Sequence, residues 1–99
     1  MATVVGVAHV TLYLEASFSL KDKRHVVRSL TQRLRNQFNL AVAEVEDLDD
    51  IRVATLALVC VSNSSPHADE MLAHAISFVE RNVELGSLGD VHTELIHVD

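Results

Sequence analysis

The sequence predicts an α+β domain built in the order β-α-β-β-α-β. Two segments carry apolar residues at helical spacing, and four others are rich in β-branched residues or alternate apolar with polar side chains. The length agrees with this class, because 99 residues with 48% hydrophobic content can bury one core but not two. We therefore expect a single domain spanning residues 1–99.

The first strand and the first helix are clearly marked. Residues 3–14 are predicted as a strand, since β-branched side chains are frequent and apolar residues come to alternate with polar ones. The helix is predicted over residues 20–37, after Ser19 and Asp22, which have the spacing of a capping box. Phe38 is expected to close its C-terminal end. Its apolar stripe has the spacing of one helical face and contains Val26, Val27, Leu30 and Leu34.

A second strand is predicted over residues 39–46, followed by an acidic loop over residues 46–50. The strand alternates, but two ways of facing the core fit the alternation equally well. Either Leu40 and Val42 point inward, or Ala41, Ala43 and Val45 do so. The sequence alone leaves this choice open.

The second half of the chain supplies the remaining three elements. Residues 51–62 are apolar on both faces, which indicates a central strand or one covered by a partner. A helix is predicted to follow a Ser65 cap, with Pro66 at its first position, and to run to about Asn82. Residues 90–98 form the last predicted strand. The inner stripe of this second helix is expected to contain Ala68, Leu72, Ala75, Ile76, Val79 and Val83.

This element order predicts the ferredoxin-like fold. Two interleaved βαβ units form a four-stranded antiparallel sheet, with strand order 4-1-3-2 and both helices on one face. The open face is expected to carry His9, Thr11 and Tyr13, with the second apolar side of the third strand. Because so apolar a face rarely stays exposed, we expect a homodimer, a larger homo-oligomer or a ligand to cover it.

Positive charge is concentrated in the first helix. Six of the eight Lys and Arg residues lie within residues 19–35 of a chain whose formal net charge is −6. Residues 15–40 hold six positive and two negative side chains, a balance of +4, so the remainder carries −10. On a helical wheel, four of these cations fall within about 60° of one another: Lys21, Arg24, Arg28 and Arg35.

Two interpretations of this basic segment remain open. In the first, it is an anion-binding surface whose partner is either RNA phosphates or an acidic protein. In the second, it is an ordinary solvated helix face whose charge is neutralised by residues 46–50 or by Glu44. If it binds anions, the candidate residues are Lys21, Lys23, Arg24, Arg28 and Arg35.

Patterns typical of catalytic, metal and cofactor sites do not occur in the sequence. Cys60 lies in an apolar run and is expected to be a buried small hydrophobe. His9 would neighbour a histidine of the last strand, but no two histidines have an i,i+4 or Cys-x-x-Cys-type ligand spacing, and three glycines form no phosphate-binding loop. Glu44 fits a buried carboxylate paired with an arginine of the first helix better than a catalytic base. We predict no catalytic, metal-binding or cofactor-binding residue.

Composition also bears on partners and location. No apolar run reaches the roughly 18 residues of a membrane span, and the single cysteine cannot form an internal disulfide. These features favour a cytoplasmic protein without a membrane partner. The two central strands offer Tyr13 but no Lys/Arg-Gly-Phe pattern, so base stacking on the sheet, as in RNA-recognition motifs, is not expected.

Three segments resemble a known family. "SLKDKRHVVRSLTQRLRNQFNLAVAEV", preceded by "VGVAHVTLYL" and followed by "VSNSSPHADEMLAHAISFVE", is similar to the YlxP-like family of small bacterial proteins of unknown function. Residues 19–24, 38–39 and 43–45 are the most specific pieces. The chain departs from the family at Ile51, where an aromatic residue is common. The resemblance implies a ferredoxin-like fold and a genomic setting among translation and ribosome-maturation genes, which favours RNA or a ribosomal component as partner.

The sequence therefore favours a non-enzymatic binding module for RNA or a ribosomal component, acting through the basic segment. The alternative is a small-molecule-binding or enzymatic dimer with a pocket on the open sheet face near His9, Tyr13 and the last strand.

Overall fold

The computed structural model describes residues 2–98 and contains the six predicted elements in the predicted order. Observed strand ends lie within three residues of the predicted ones. The elements are β1 (Thr3–Tyr13), α1 (Leu20–Gln37), β2 (Ala41–Glu46), β3 (Val53–Ser62), α2 (Ser65–Asn82) and β4 (Ser87–Val98).

The four strands form one antiparallel sheet in the order β2-β3-β1-β4. This is the predicted order 4-1-3-2 counted from the opposite edge, so the prediction of a ferredoxin-like fold is confirmed. The central strands β1 and β3 bury alternate side chains beneath the helices, for example Leu12 and Leu56. The short strand β2 and the long strand β4 form the two edges of the sheet.

Both ends of α1 are capped as predicted. The Ser19 side chain accepts a hydrogen bond from the Asp22 N–H at 3.0 Å, and the Asp22 carboxylate accepts one from the Phe18 N–H at 2.9 Å. The N–H of Phe38 donates to the Leu34 carbonyl at 2.9 Å and ends the helix. These bonds satisfy backbone groups that a helix end would otherwise leave unpaired.

The start of α2 differs from the prediction by one residue. The cap is Ser64, whose side chain accepts from the His67 N–H at 3.4 Å, so Ser65 already lies in the helix. Adjacent serines are chemically equivalent caps, and the backbone decides between them because Ser64 is extended. The predicted stripe also missed Phe78, which is buried and meets the Phe38 ring edge-on with centroids 5.7 Å apart.

The facing of β2 and the start of β4 were settled by tertiary contacts. Val42 is buried against the helices while its neighbours Ala41 and Ala43 are exposed. The last strand begins at Ser87, three residues before the predicted start. Gly86 directly precedes this strand, and a Cβ added to it would overlap the Tyr13 carbonyl oxygen. Glycine therefore permits the chain to pass this close to β1.

The two faces of the sheet differ as predicted. Cys60 is buried on the helix-covered face, in agreement with its predicted role, and burial raises the pKa of its thiol. On the open face, exposed apolar side chains gather toward one end. They include Val61, 63% exposed, and the β4 residues Ile96 and Val98, which lie across β1 from Val61. Within residues 2–98, no helix combines the length and apolarity needed to cross a membrane.

Candidate functional site

The basic strip of α1 consists of Lys21, Arg24, Arg28 and Arg35, and all four residues are exposed. The first three line one shallow depression on the outer surface of the helix. Within residues 2–98, none of these three side chains forms an ion pair or a hydrogen bond. Their charges are therefore available to an external anion.

Arg35 lies at the C-terminal end of the strip and has an additional structural role. Its Nη2 donates a hydrogen bond of 2.5 Å to the carbonyl oxygen of Val42 in the edge strand β2. The guanidinium is thereby held over the edge of the sheet, and within residues 2–98 its other N–H groups make no hydrogen bond and can donate to a ligand. Arg35 is thus a fixed member of the strip.

Lys23 has a different environment from the strip. Its side chain is 1% exposed, and Nζ donates to the carbonyl oxygens of Asp47 at 2.5 Å and Asp50 at 2.6 Å. The same atom lies 3.0 Å from Oε2 of Glu44. The prediction that Lys23 contributes to an anion-binding surface is incompatible with this burial, because its ammonium is enclosed by oxygen atoms of the protein. We call Lys23, Glu44 and the two loop carbonyls the Lys23 clamp.

The clamp also corrects the predicted partner of Glu44. A cation of α1 does hold this carboxylate, but the cation is Lys23 and not an arginine. Oε2 of Glu44 is buried and its approach to Lys23 lacks the geometry of a hydrogen bond. The pair is therefore bound mainly by charge attraction.

The acidic loop does not neutralise the strip. In the described part of the chain, Lys23–Glu44 is the sole ion pair within 4.0 Å. The loop instead binds Lys23 through backbone carbonyls, with Asp47 in a left-handed conformation at φ 58°. Arg33, outside the strip, donates to Asn82 Oδ1 at 2.8 Å and stacks on Phe78. Neutralisation by Glu44 and the loop therefore applies to Lys23 alone; Arg33 is held by uncharged groups, and the exposed strip has no acidic partner within residues 2–98.

A groove of about 240 Å³ runs between α1 and β2 beside the strip. Glu44 lines it with the part of its side chain that remains accessible, 19% of the total. Thr31 is held in the wall by a hydrogen bond from Oγ1 to the Arg28 carbonyl at 3.1 Å. The groove is lined by Arg24, Val27, Arg28, Thr31, Arg35, Ala43 and Glu44.

Comparison with known proteins places this fold and surface in a family. A family model described as "Protein of unknown function (DUF503)" matches residues 5–90, which include the whole strip and the clamp. The chain belongs to the DUF503 family. The DUF503 chain is also 24% identical over 82 residues to "Uncharacterized protein YlxP" of Bacillus subtilis (strain 168), covering 83% of this chain and 89% of that protein. The YlxP-like resemblance is therefore confirmed.

Two solved structures are similar to the DUF503 chain in outline. The de novo designed protein Ferredog-Diesel has 10% identity and a TM-score of 0.49, with 91% of this chain and 83% of the designed chain covered. A dimeric ferredoxin-like protein of unknown function from Thermobifida fusca YX has 14% identity and a TM-score of 0.45, with 95% and 92% covered. Because both TM-scores are below 0.5, neither structure adds evidence for the strand order described above.

The open face of the DUF503 chain carries the polar groups of the alternative site. His9 lies directly opposite His92 in the β1–β4 register. The Tyr13 hydroxyl donates to Asp90 Oδ2 at 3.1 Å, and this hydrogen bond with the Asp90 charge raises the tyrosine pKa. Tyr13 therefore keeps its proton and cannot act as a base near neutral pH. Among residues 2–98, no three His, Cys, Asp or Glu side chains converge in a way that could hold a metal.

Proposed function

We propose that this DUF503 protein is a cytoplasmic, non-enzymatic binding module that holds RNA, free or in a ribosomal particle, through the basic strip. The observation that carries the proposal is that Lys21, Arg24 and Arg28, on one helix face of an acidic chain, have no ion-pair or hydrogen-bond partner among residues 2–98. Arg35 extends the strip toward β2. The genomic setting implied by the YlxP-like resemblance favours the same partner.

The charge distribution supports this choice of surface. Arginine and lysine side chains spaced along a helix bind successive phosphates, and the release of condensed counterions drives the association. The rest of the molecule carries net negative charge and repels RNA, so the encounter is steered toward α1. A surface of this kind supplies affinity with little base preference.

Replacing Arg24 and Arg28 together with glutamine tests the proposal. Glutamine has a helix propensity close to that of arginine, and neither arginine holds another described residue. We expect the melting temperature to hold or rise slightly, while RNA affinity falls about ten-fold or more at 0.1 M salt. The slope of log affinity against log salt should shrink by about 0.7 for each phosphate of a single strand that the variant no longer neutralises. Fluorescence anisotropy with labelled RNA measures both.

Arg81→Gln is the matched control for the single change Arg28→Gln. Arg81 is also an exposed helical arginine, but it lies on α2 and donates to the Ser77 carbonyl of its own helix. RNA affinity should fall with Arg28→Gln and stay within two-fold with Arg81→Gln, roughly the effect of a distant charge screened by salt. Equal losses would show that net charge, and not the strip, determines binding. A ligand of the open face near His9 and Tyr13 would instead show almost no salt dependence.

We also propose that a second copy of the chain covers the open sheet face. Four strands of 6 to 12 residues, about 4.8 Å apart, cover a projected area of roughly 600 Å², which approaches the ~800 Å² per partner of a stable interface. A depression of about 380 Å³ beside Ala41, Val59 and Val61 can accept side chains of the second copy. The strip on α1 lies on the opposite side and stays free in such a dimer.

Sedimentation at micromolar concentration should therefore show a species of twice the 10.9 kDa monomer mass. Val61→Glu should convert it to monomer without unfolding, because it introduces charge into the apolar end of the face that the second copy covers. Leu48→Glu is the matched control, since Leu48 is 59% exposed but lies in the acidic loop, away from the sheet face. A wild-type protein that sediments only as a monomer contradicts the dimer.

A further inference from the structure

The groove between α1 and β2 differs from the remainder of the strip, because it combines cations with an acceptor. One wall carries Arg24, Arg28 and Arg35, which favour an anion. The other wall is the edge strand β2, where the accessible part of Glu44 lies. A ligand that fits must offer a negative group and a hydrogen-bond donor within a volume of about 240 Å³.

The edge of β2 is blocked for an extended peptide. In an antiparallel pair, the N–H and C=O of a residue point to the same side and alternate along the strand. The Val42 carbonyl accepts from Arg35 and therefore faces outward from the sheet, and Glu44, two residues on, directs its backbone groups the same way. Because Arg35 occupies the Val42 acceptor, a continuous ladder with an added strand cannot form. A smaller ligand can still reach the outward-facing groups of Glu44.

The Glu44 carboxylate determines what the groove can select. An ionised carboxylate only accepts hydrogen bonds, and it has about four lone-pair positions. In the described part of the chain, its one polar interaction is the ion pair between Oε2 and Lys23. Acceptor capacity therefore remains on the accessible side of the group, beside the arginines.

We infer that this groove holds one nucleotide of the bound RNA and that Glu44 favours a base carrying an exocyclic amino group. This inference rests on the RNA-binding function proposed above. The phosphate lies against Arg24 and Arg28, and the amino group of cytosine or adenine donates to Glu44, a pairing for which carboxylates are suited. Uracil has a carbonyl oxygen at the position where cytosine has its amino group. That oxygen and the carboxylate are both acceptors, so no hydrogen bond forms between them.

Short labelled oligo(C) and oligo(U) test this on the unaltered protein, because both strands have the same backbone charge. Anisotropy at one salt concentration should give an affinity about ten-fold higher for oligo(C), as expected for one hydrogen bond to a charged group. The salt slopes should be equal, since both strands place the same number of phosphates on the strip. Equal affinities for the two strands overturn the inference and leave the proposed function standing.

Glu44→Gln provides the second arm, because a glutamine amide offers donor and acceptor alike. The preference for oligo(C) should fall to near parity, and the affinity for oligo(U) should rise because a negative charge beside the phosphates is removed. Glu80→Gln is the matched control: it removes the same charge at an exposed position of α2, and the preference for oligo(C) over oligo(U) should persist. Glu44→Gln also breaks the ion pair with Lys23, so a lower melting temperature is expected in either case. If both affinities fall alike and the preference for oligo(C) persists, Glu44 has only a structural role and the inference fails.

Failure of the RNA proposal itself gives a different result. Neither oligonucleotide then binds with salt dependence, or a poly-glutamate peptide displaces both at lower concentrations than unlabelled RNA. The second outcome identifies an acidic protein as the occupant of the strip.

Discussion

Lys23→Met should lower the free energy of unfolding by about 3–5 kcal/mol, the range expected when one partner of a buried ion pair is removed. Methionine replaces the apolar stem of lysine and most of its length, but it lacks the terminal ammonium and offers no donor. The Asp47 and Asp50 carbonyls would lose hydrogen bonds of 2.5 and 2.6 Å, and buried Oε2 of Glu44 would lose its counter-charge. Urea denaturation followed by circular dichroism measures the change.

Two variants show whether the clamp itself is responsible. Lys21→Met removes an exposed lysine two residues earlier on the same helix, and stability should stay within about 0.5 kcal/mol. Adding Glu44→Met to Lys23→Met should recover part of the loss, because no unpaired charge then remains in the clamp. If Lys21→Met and Lys23→Met have equal effects, the clamp does not stabilise the fold.

Leu30→Ala should lower the free energy of unfolding by about 2–5 kcal/mol, through reduced burial and the cavity left behind. Leu30 is 2% exposed and lies at the middle of the α1 stripe, between Val26 and Leu34. For a domain of this size the loss is a large share of a total stability of about 5–15 kcal/mol. The urea midpoint should fall accordingly.

Leu48→Ala is the control for Leu30→Ala, because it deletes the same atoms at an exposed position of the acidic loop. Its effect should lie within about 0.5 kcal/mol. An unchanged midpoint in Leu30→Ala would mean that the buried face of α1 is assigned incorrectly. Taken with the clamp, these variants separate residues that hold α1 in place from the strip residues Lys21, Arg24 and Arg28, whose loss should affect binding alone.

Several features could be predicted from the sequence because local chemistry determines them. The period of the apolar residues determined the two helices, and β-branched, alternating segments determined the four strands. Ser19 and Asp22 marked the start of α1 because the capping bonds join residues only three or four apart. The exposure of Lys21, Arg24 and Arg28 followed from the helical wheel, since all three lie to one side of the buried stripe.

Other features depended on packing between residues distant in sequence or on backbone conformation. The facing of β2 was decided by packing of Val42 against the helices, since both alternations were equally apolar. The cap of α2 was decided by the backbone conformation at Ser64, because two neighbouring serines offer the same hydroxyl. The early start of β4 was decided by the close pass of Gly86 over β1.

The candidate site divides in the same way. Residue type and helical period were sufficient to predict the strip as a row of cations. Lys23, in contrast, is buried because its ammonium donates to two carbonyl oxygens of a loop more than 20 residues away in sequence. The left-handed turn at Asp47 brings this loop to the lysine. Backbone carbonyls are present at every residue and leave no mark in a sequence. For that reason the sequence determined which helix carries the charge, and only the tertiary structure determined which of its cations are free to bind a partner.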